Sequence, residues 1–116
     1  MTQIYKIMDK TTWNSAKNIG EFNGSEHDKR DGFIHFSTKE QLAGTLAKHY
    51  QGQHDLLLLA FSANDFGENL KWEPSRDGAL FPHLYAPLPT TYVLWEKLLE
   101  FAENGTHIIP NVSEHE

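Results

Sequence analysis

The sequence contains no cysteine among its 116 residues. This absence excludes disulfides, thiolate metal sites and a cysteine nucleophile, so stability and chemistry must come from other side chains. A domain of this length buries roughly two thirds of the surface of its unfolded chain, which is enough for one hydrophobic core without cross-links. We therefore predict a single domain over residues 1–112, followed by a frayed C-terminal tail over residues 113–116.

Long apolar runs and an excess of positive charge are also missing. No run approaches the roughly 20 residues of a membrane-spanning helix, and the first residues lack the basic and apolar regions of a signal peptide. The net charge is −6, with a sequence pI near 5.6. These features predict a cytoplasmic protein that binds neither membranes nor nucleic acids broadly. They still allow one small anionic ligand in a local basic pocket.

Residues 31–38 combine a strand-like composition with ionisable groups. Because side chains alternate across a strand, His35 and Ser37 share one face, while Ile34 and Phe36 lie on the other. The second face is apolar and predicts core. The first face carries an imidazole and a hydroxyl, which indicates a functional site; a core histidine bonded to backbone is the alternative.

A helix is predicted directly after this strand. Ser37 and Glu40 have the spacing of a capping box, and Leu42, Leu46 and Tyr50 then form one apolar helical stripe. The free amide groups at residues 38–40 would therefore lie beside the imidazole, where a helix start favours an anion.

Residues 72–89 form a second unusual stretch, with four prolines among aromatic and ionisable residues. Such a loop often carries function when it is held in place. Arg76 could bind a phosphate through its planar fork, and His83 could act as a general acid or base. The alternative is a proline-stiffened loop whose aromatic side chains fill the core.

The remaining segments are predicted more simply. Residues 4–8 and 70–73 are predicted strands, and residues 56–61 a strand buried on both faces. Residues 9–12 offer several N-cap candidates for a short helix with Trp13, Ala16 and Gly20 along one side. Residues 21–30 are predicted to be a loop with solvated charges. Residues 92–101 fit both a helix and a strand, and Asn104-Gly105 is a strong hairpin signal.

Several motifs of the sequence resemble the domain-of-unknown-function family 952 (DUF952). They occupy residues 4–7, 31–38 with Gln41, 72–76 and 81–85, in the family's order and over about the whole chain. The resemblance implies an α+β fold similar to the ADP-ribosyltransferase superfamily, with two small bent β-sheets around a cleft and two or three short helices. It also favours a strand over residues 92–98.

The superfamily pattern implies roles for several residues. His35 and Ser37 would contact the nicotinamide ribose of NAD, which is the one cofactor implied. Glu73 would place negative charge beside an oxocarbenium-like centre. Tyr50 and Tyr85 compete for the tyrosine position of the pattern. One departure is that the residue after the histidine is phenylalanine, where the superfamily has a small residue.

The sequence therefore predicts a nucleotide- or NAD-binding cleft, with glycosyl or ADP-ribosyl transfer as its reaction. The predicted catalytic groups are His35, Glu73 and His83. The predicted ligand-binding residues are Ser37, Thr38, Arg76, Tyr85 and Asp31. A non-catalytic module that binds a phosphate-bearing small molecule is the alternative. A zinc site from both histidines with Asp31 or Glu73 is a third reading, but its ligands are widely spaced and no metal is predicted.

Overall fold

The computed structural model describes residues 2–110, apart from the side chain of Arg76. Three α-helices occur in this range: α1 (Lys10–Ile19), α2 (Glu26–Asp31) and α3 (Leu42–His49). None of the helices in the described range has the length and apolarity needed to span a membrane. The predicted tail, residues 113–116, lies outside the described residues.

Nine strands complete the α+β architecture of the described residues. They are β1 (Gln3–Asp9), β2 (Glu21–Phe22), β3 (Ile34–His35), β4 (Leu56–Ser62), β5 (Leu70–Pro74), β6 (Leu80–Leu84), β7 (Leu88–Pro89), β8 (Trp95–Phe101) and β9 (His107–Ile108). Short 3₁₀ turns lie at Lys39–Gln41, Ala63–Asn69, Arg76–Gly78 and Thr90–Tyr92.

The strands form three antiparallel sheets among the described residues, one more than predicted. Their orders are β1-β4-β8-β9, β2-β7 and β3-β6-β5. The largest and the three-stranded sheets meet where Tyr5 and Ser37 form an antiparallel bridge, with both backbone bonds at 2.8 Å. This bridge brings the predicted functional strand β3 against β1. The sheets and short helices confirm an α+β fold.

The largest sheet separates two hydrophobic clusters. Strand β4 is buried along its whole length, as the apolar run predicts, and its side chains alternate between the clusters. On one side, Trp13 and Ala16 of α1 pack with residues of the two smaller sheets. On the other, Leu42 and Leu46 of α3 pack against β1, β4 and β8.

The predicted loop at residues 21–30 is wrong, because α2 begins inside it. Ser25 caps this helix by accepting a bond from the Asp28 backbone at 3.1 Å, and the Asp28 carboxylate accepts from the Ser25 amide at 3.0 Å. This reciprocal pair is a capping box. Asp28 is only 3% exposed, so its charge does not belong to a solvated face.

The predicted capping box at Ser37 and Glu40 begins one residue too early. The Ser37 backbone pairs with Tyr5, and its hydroxyl is hydrogen-bonded to the Thr45 hydroxyl at 2.9 Å. Thr38 is instead the residue before the 3₁₀ turn, and its amide donates to the Gln41 side chain at 2.9 Å. The β-bridge holds Ser37 extended and leaves capping to its neighbour.

The ambiguous tail forms a strand, as the family resemblance favours. Strand β8 begins later than predicted, because residues 90–92 form a 3₁₀ turn. Pairing with the buried strand β4 outweighs the helical periodicity of this segment. The predicted hairpin is confirmed: β8 and β9 pair around a turn in which Gly105 has φ +85°.

Candidate functional site

A cavity of about 490 Å³ opens between β1, α2, β3, α3 and the β6 region, and we call it the main cavity. Its volume is within the range of small-molecule sites. The backbone of β1 forms one wall, α2 and β3 form the second, and the C-terminal part of α3 forms the third. The bridge between Tyr5 and Ser37 fixes two of these walls relative to each other.

The main cavity gathers basic and imidazole groups of an acidic protein. The chain has 16 acidic residues against 10 lysines and arginines. In the cavity wall the balance is reversed, since seven lining residues are basic or imidazole groups and only Glu26 and Asp28 are acidic. The seven are Lys6, His27, Arg30, His35, Lys48, His49 and His83.

Asp28 connects three of these elements at the base of the site. Its Oδ1 accepts bonds from the His35 ring at 2.6 Å and from the His35 amide at 3.2 Å. Its Oδ2 accepts from the Ser25 amide and lies 3.5 Å from the Lys6 ammonium. Lys6 also donates to the backbone carbonyl of His35 at 2.6 Å. The carboxylate therefore fixes β3 against β1 and α2.

Burial and the neighbouring charge shift the pKa of Asp28, and that of Lys6, in opposite directions. Burial alone would raise the pKa of Asp28, but bonds from His35 and the Lys6 charge outweigh it and hold that pKa far below its usual range. For Lys6, burial outweighs the attraction of Asp28, so its pKa is lowered. Asp28 is therefore an anion throughout the physiological range.

The His35 ring lies between two carboxylates. Its Nδ1 donates to Asp28, and its Nε2 lies 2.9 Å from Asp31 Oδ2. Asp31 Oδ2 is also 3.5 Å from His27 Nε2. His35 is thus held in a fixed orientation at the edge of the main cavity.

A second imidazole is oriented by a different carboxylate. His83 is 4% exposed, and its Nδ1 donates to Glu73 Oε1 at 2.8 Å. Tyr85 donates its hydroxyl to the same oxygen at 2.7 Å. The bonds from Tyr85 and His83 lower the pKa of Glu73. With Nδ1 protonated, His83 Nε2 carries the lone pair of the ring.

The two imidazoles are held close together by an aromatic ring. Phe33 stacks on His83 with ring centroids 3.9 Å apart and contacts His35 at 4.6 Å. The His35 and His83 centroids are 5.6 Å apart. One small ligand can therefore contact both histidine rings.

Residues 7–96 match the model of a family described as protein of unknown function, DUF952. The chain belongs to this family. It is also similar to protein CC0527 from Caulobacter crescentus, whose crystal structure is 48% identical, with a TM-score of 0.89 over 92% of this chain and 94% of that chain. The solution NMR structure of CC0527 is 50% identical, with a TM-score of 0.83 over 91% of each chain. No curated protein matches the chain.

Most of the predicted site residues of this DUF952 chain converge. His35, Ser37 and His83 line the main cavity. Asp31 and Glu73 do not line it, but each is hydrogen-bonded to one of the two histidines. The family motifs around residues 31–38 and 72–85 are thus brought together by the pairing of β3 with β6 and of β6 with β5.

The other predicted residues lie differently. Thr38 precedes the 3₁₀ turn and does not line the main cavity. Tyr85 faces a neighbouring concavity and reaches the site through Glu73. The side chain of Arg76 lies outside the described part of the structure. Of the two competing tyrosines, Tyr50 lines the cavity, and burial with nearby acidic charges raises its pKa to about 12.

No sequence motif indicates that the basic and imidazole groups of α2 and α3 in this DUF952 chain line a cavity. His27 and Arg30 belong to the segment predicted to be a loop with solvated charges. Lys48 and His49 lie at the end of the helix that is predicted from its apolar stripe. One signal was available. His27, Asp31 and His35 are spaced four residues apart, which places the first two on one face of a helix.

Proposed function

We propose that this DUF952 protein binds a phosphate-bearing small molecule of the nucleotide class in the main cavity. The observation that supports the proposal is the reversal of charge: seven basic or imidazole residues line the cavity of a chain with net charge −6. Lys6 and His35 have a structural partner in Asp28, but a concentration of donors at one concave surface of an acidic chain goes beyond that pairing. It favours an anion that accepts several charge-assisted hydrogen bonds.

The donors differ in how firmly they are held. Lys6 and His35 are fixed by Asp28 and have little freedom to move. Arg30 and Lys48 are exposed at the cavity wall, and Arg30 is hydrogen-bonded to the His27 ring at 2.7 Å, a contact that a ligand can replace. In the proposed complex these two side chains bind phosphate oxygens, and the arginine does so through two parallel bonds.

The pair of Glu73 and His83 gives the proposed site a candidate for general base catalysis. A carboxylate on Nδ1 directs the lone pair of His83 to Nε2, on the ring that lines the cavity. This is the arrangement of a general base whose orientation is set by an acidic partner. In the proposed enzyme, His83 accepts a proton from the attacking group and Glu73 positions the ring.

Titration calorimetry tests the binding proposal with ADP-ribose, adenosine and inorganic phosphate on chelator-treated protein. We expect ADP-ribose to bind and adenosine to bind much more weakly. Arg30→Gln and Lys48→Gln should each weaken ADP-ribose about tenfold or more, because each removes a charged hydrogen bond. Lys29→Gln is the matched control: it removes the same charge from α2 at a position that does not line the main cavity.

Equal weakening by Lys29→Gln and Arg30→Gln would contradict a specific phosphate site and leave only general electrostatics. No binding of ADP-ribose or phosphate by the parent protein would refute the proposal. A thermal melt of each variant excludes loss of fold as the cause of weaker binding.

Glycosyl or ADP-ribosyl transfer from NAD is the second candidate. It is favoured by the lowered pKa of Glu73, which keeps a carboxylate charged near the main cavity, where it could stabilise an oxocarbenium-like centre. Release of nicotinamide from NAD is the measurement. It should occur with the parent protein and be lost in Glu73→Gln; binding of NAD without any nicotinamide release would favour the non-catalytic alternative.

A further inference from the structure

We propose that His27, Asp31 and His35 form a binding site for a divalent transition metal of the zinc class at the edge of the main cavity. Their ligating atoms, two imidazole nitrogens and one carboxylate oxygen, lie within 4.8 Å of one another. An ion about 2.0–2.2 Å from each ligand requires ligand atoms roughly 3.3–3.5 Å apart, so the widest pair must approach by up to about 1.5 Å. Since all three side chains are partly exposed, small rotations supply that adjustment.

The support around His35 is a second, independent observation. Its Nδ1 donates to Asp28 at 2.6 Å, and Asp28 is buried and held by Lys6 and Ser25. Metal-binding histidines almost always donate their other ring N–H to a carboxylate or carbonyl, which fixes the ring and raises its basicity. The arrangement thus directs His35 Nε2 toward Asp31 Oδ2, which lies 2.9 Å away.

Metal binding replaces a proton at this point. A ring nitrogen or a carboxylate oxygen must be free of its proton to bind a metal, so the ion and a proton compete for His35 Nε2 and Asp31 Oδ2. His27 changes as well. Arg30 lies 2.7 Å from His27 Nδ1 and donates to it, so the ring proton is on Nε2. Ligation at Nε2 moves that proton to Nδ1 and displaces the exposed arginine.

Three protein ligands leave a coordination position open, as in catalytic zinc sites. His27 and His35 line the main cavity, so the open position lies on its side of the cluster. A water molecule or a phosphate oxygen fits there. The identity of that fourth ligand rests on the proposed function, whereas metal binding by the three residues does not.

The test is calorimetric titration of untagged, chelator-treated protein with zinc chloride, and with cobalt(II) for its visible absorption. We expect one equivalent to bind. His27→Ala and Asp31→Asn should each weaken zinc binding at least tenfold and change the cobalt spectrum. His54→Ala is the matched control, since His54 packs against Phe101 away from the cluster and its loss should change neither.

Arg30→Gln separates this inference from the proposed function. It removes a competitor for His27, so zinc should bind as tightly or more tightly, while ADP-ribose should bind more weakly. Absence of a saturable zinc equivalent in the parent protein would overturn the metal site, as would equal affinity in His27→Ala, Asp31→Asn and the control. Neither result would affect phosphate binding by the metal-free protein.

Discussion

At the residue scale, Asp28 ties together parts of the chain that are distant in sequence. Its carboxylate contacts Lys6 of β1, Ser25 at the start of α2 and His35 of β3. Lys6 places a positive charge beside this buried carboxylate, while Ser25 and His35 donate hydrogen bonds to it, so each group compensates for the burial of the others. Removal of one charge from such a buried group leaves the others without compensation.

Asp28→Asn should therefore lower the free energy of unfolding by about 3 kcal/mol, because it leaves the buried Lys6 unpaired. Lys6→Met should cost less, since Asp28 then keeps its bonds from His35 and Ser25. Urea denaturation measures both values. Asp65→Asn, at an exposed position, is the control. An Asp28→Asn midpoint equal to that of the control would show that the network contributes nothing to stability.

This role could be predicted from the sequence only in part. Ser25 and Asp28 have capping-box spacing, so the local partnership was visible. The contacts with Lys6 and His35 depend on the pairing of separate strands, which no local pattern reports. A dense run of charges around Asp28 therefore looked solvated, although one member of the run is buried.

Tyr50 gives a prediction about alkaline pH. Burial raises its pKa from 10.0 to about 12, so between these values the unfolded chain loses the hydroxyl proton while the folded chain keeps it. The raised pKa of Tyr50 therefore makes its full contribution to the free energy of unfolding below about pH 10. This contribution is lost as the pH rises toward 12, by roughly 2–3 kcal/mol in all.

Tyr50→Phe removes that dependence and also the hydrogen bond from the hydroxyl to the Ile7 carbonyl, at 3.2 Å. At neutral pH the variant should be about 1 kcal/mol less stable than the parent. Near pH 12 the difference should vanish or change sign. Urea midpoints across this range measure it, and a constant difference at every pH would refute the raised pKa.

At the element scale, the site depends on how α2 ends. Gly32 terminates this helix with φ +88°, and a Cβ built there meets no atom within 4 Å. The left-handed backbone lets the chain reverse directly into β3, which brings the His35 ring within 2.9 Å of the Asp31 carboxylate. Glycine adopts this conformation without the steric cost that other residues incur.

Gly32→Ala should lower the free energy of unfolding by about 1 kcal/mol through backbone strain alone. Gly105→Ala is matched to it, because Gly105 also has a positive φ of 85° and open space around its Cβ, but it lies in the distant β8–β9 turn. Both variants should lose similar stability in urea. Only Gly32→Ala should also weaken zinc binding; if both weaken it equally, local geometry at α2 is not the cause.

Elements were predictable where one local signal dominated. The apolar run of β4, the stripe of α3 and the turn at Asn104-Gly105 each produced the expected structure. Prediction was poorer where two structures competed. Ser37 could cap a helix or pair as a strand, and the bridge with Tyr5 decided it in favour of the strand.

At the scale of the whole molecule, β4 connects the two hydrophobic clusters. Leu57 and Leu59 belong to the cluster with α1, whereas Leu56 and Leu58 belong to the cluster with α3. No side chain of the strand is left to solvent. A defect on either face must therefore displace the same backbone, so we expect both clusters to unfold in one transition.

Leu58→Ala tests this coupling across the sheet, since it should cost about 2–5 kcal/mol through cavity formation. Trp13 lies in the opposite cluster and becomes the only tryptophan when Trp72 and Trp95 are replaced by phenylalanine. In that background, the urea midpoint from Trp13 fluorescence should fall with Leu58→Ala by as much as the midpoint from far-UV circular dichroism. Ile19→Ala is the control, because Ile19 ends the same helix as Trp13 but is 73% exposed, and it should shift neither midpoint.

The alternative to this coupling is that each face of the sheet unfolds independently. In that case, Leu58→Ala would lower the circular-dichroism midpoint, while the fluorescence of Trp13 would keep its parent midpoint. The register of β4 argues against this outcome, because the strand is paired with β1 along seven positions and with β8 along five. Loss of either ladder would leave backbone N–H and C=O groups unpaired along one edge of this buried strand. Coincident midpoints would thus show that the walls of the main cavity, which come from both sides of this sheet, are held by a single cooperative unit.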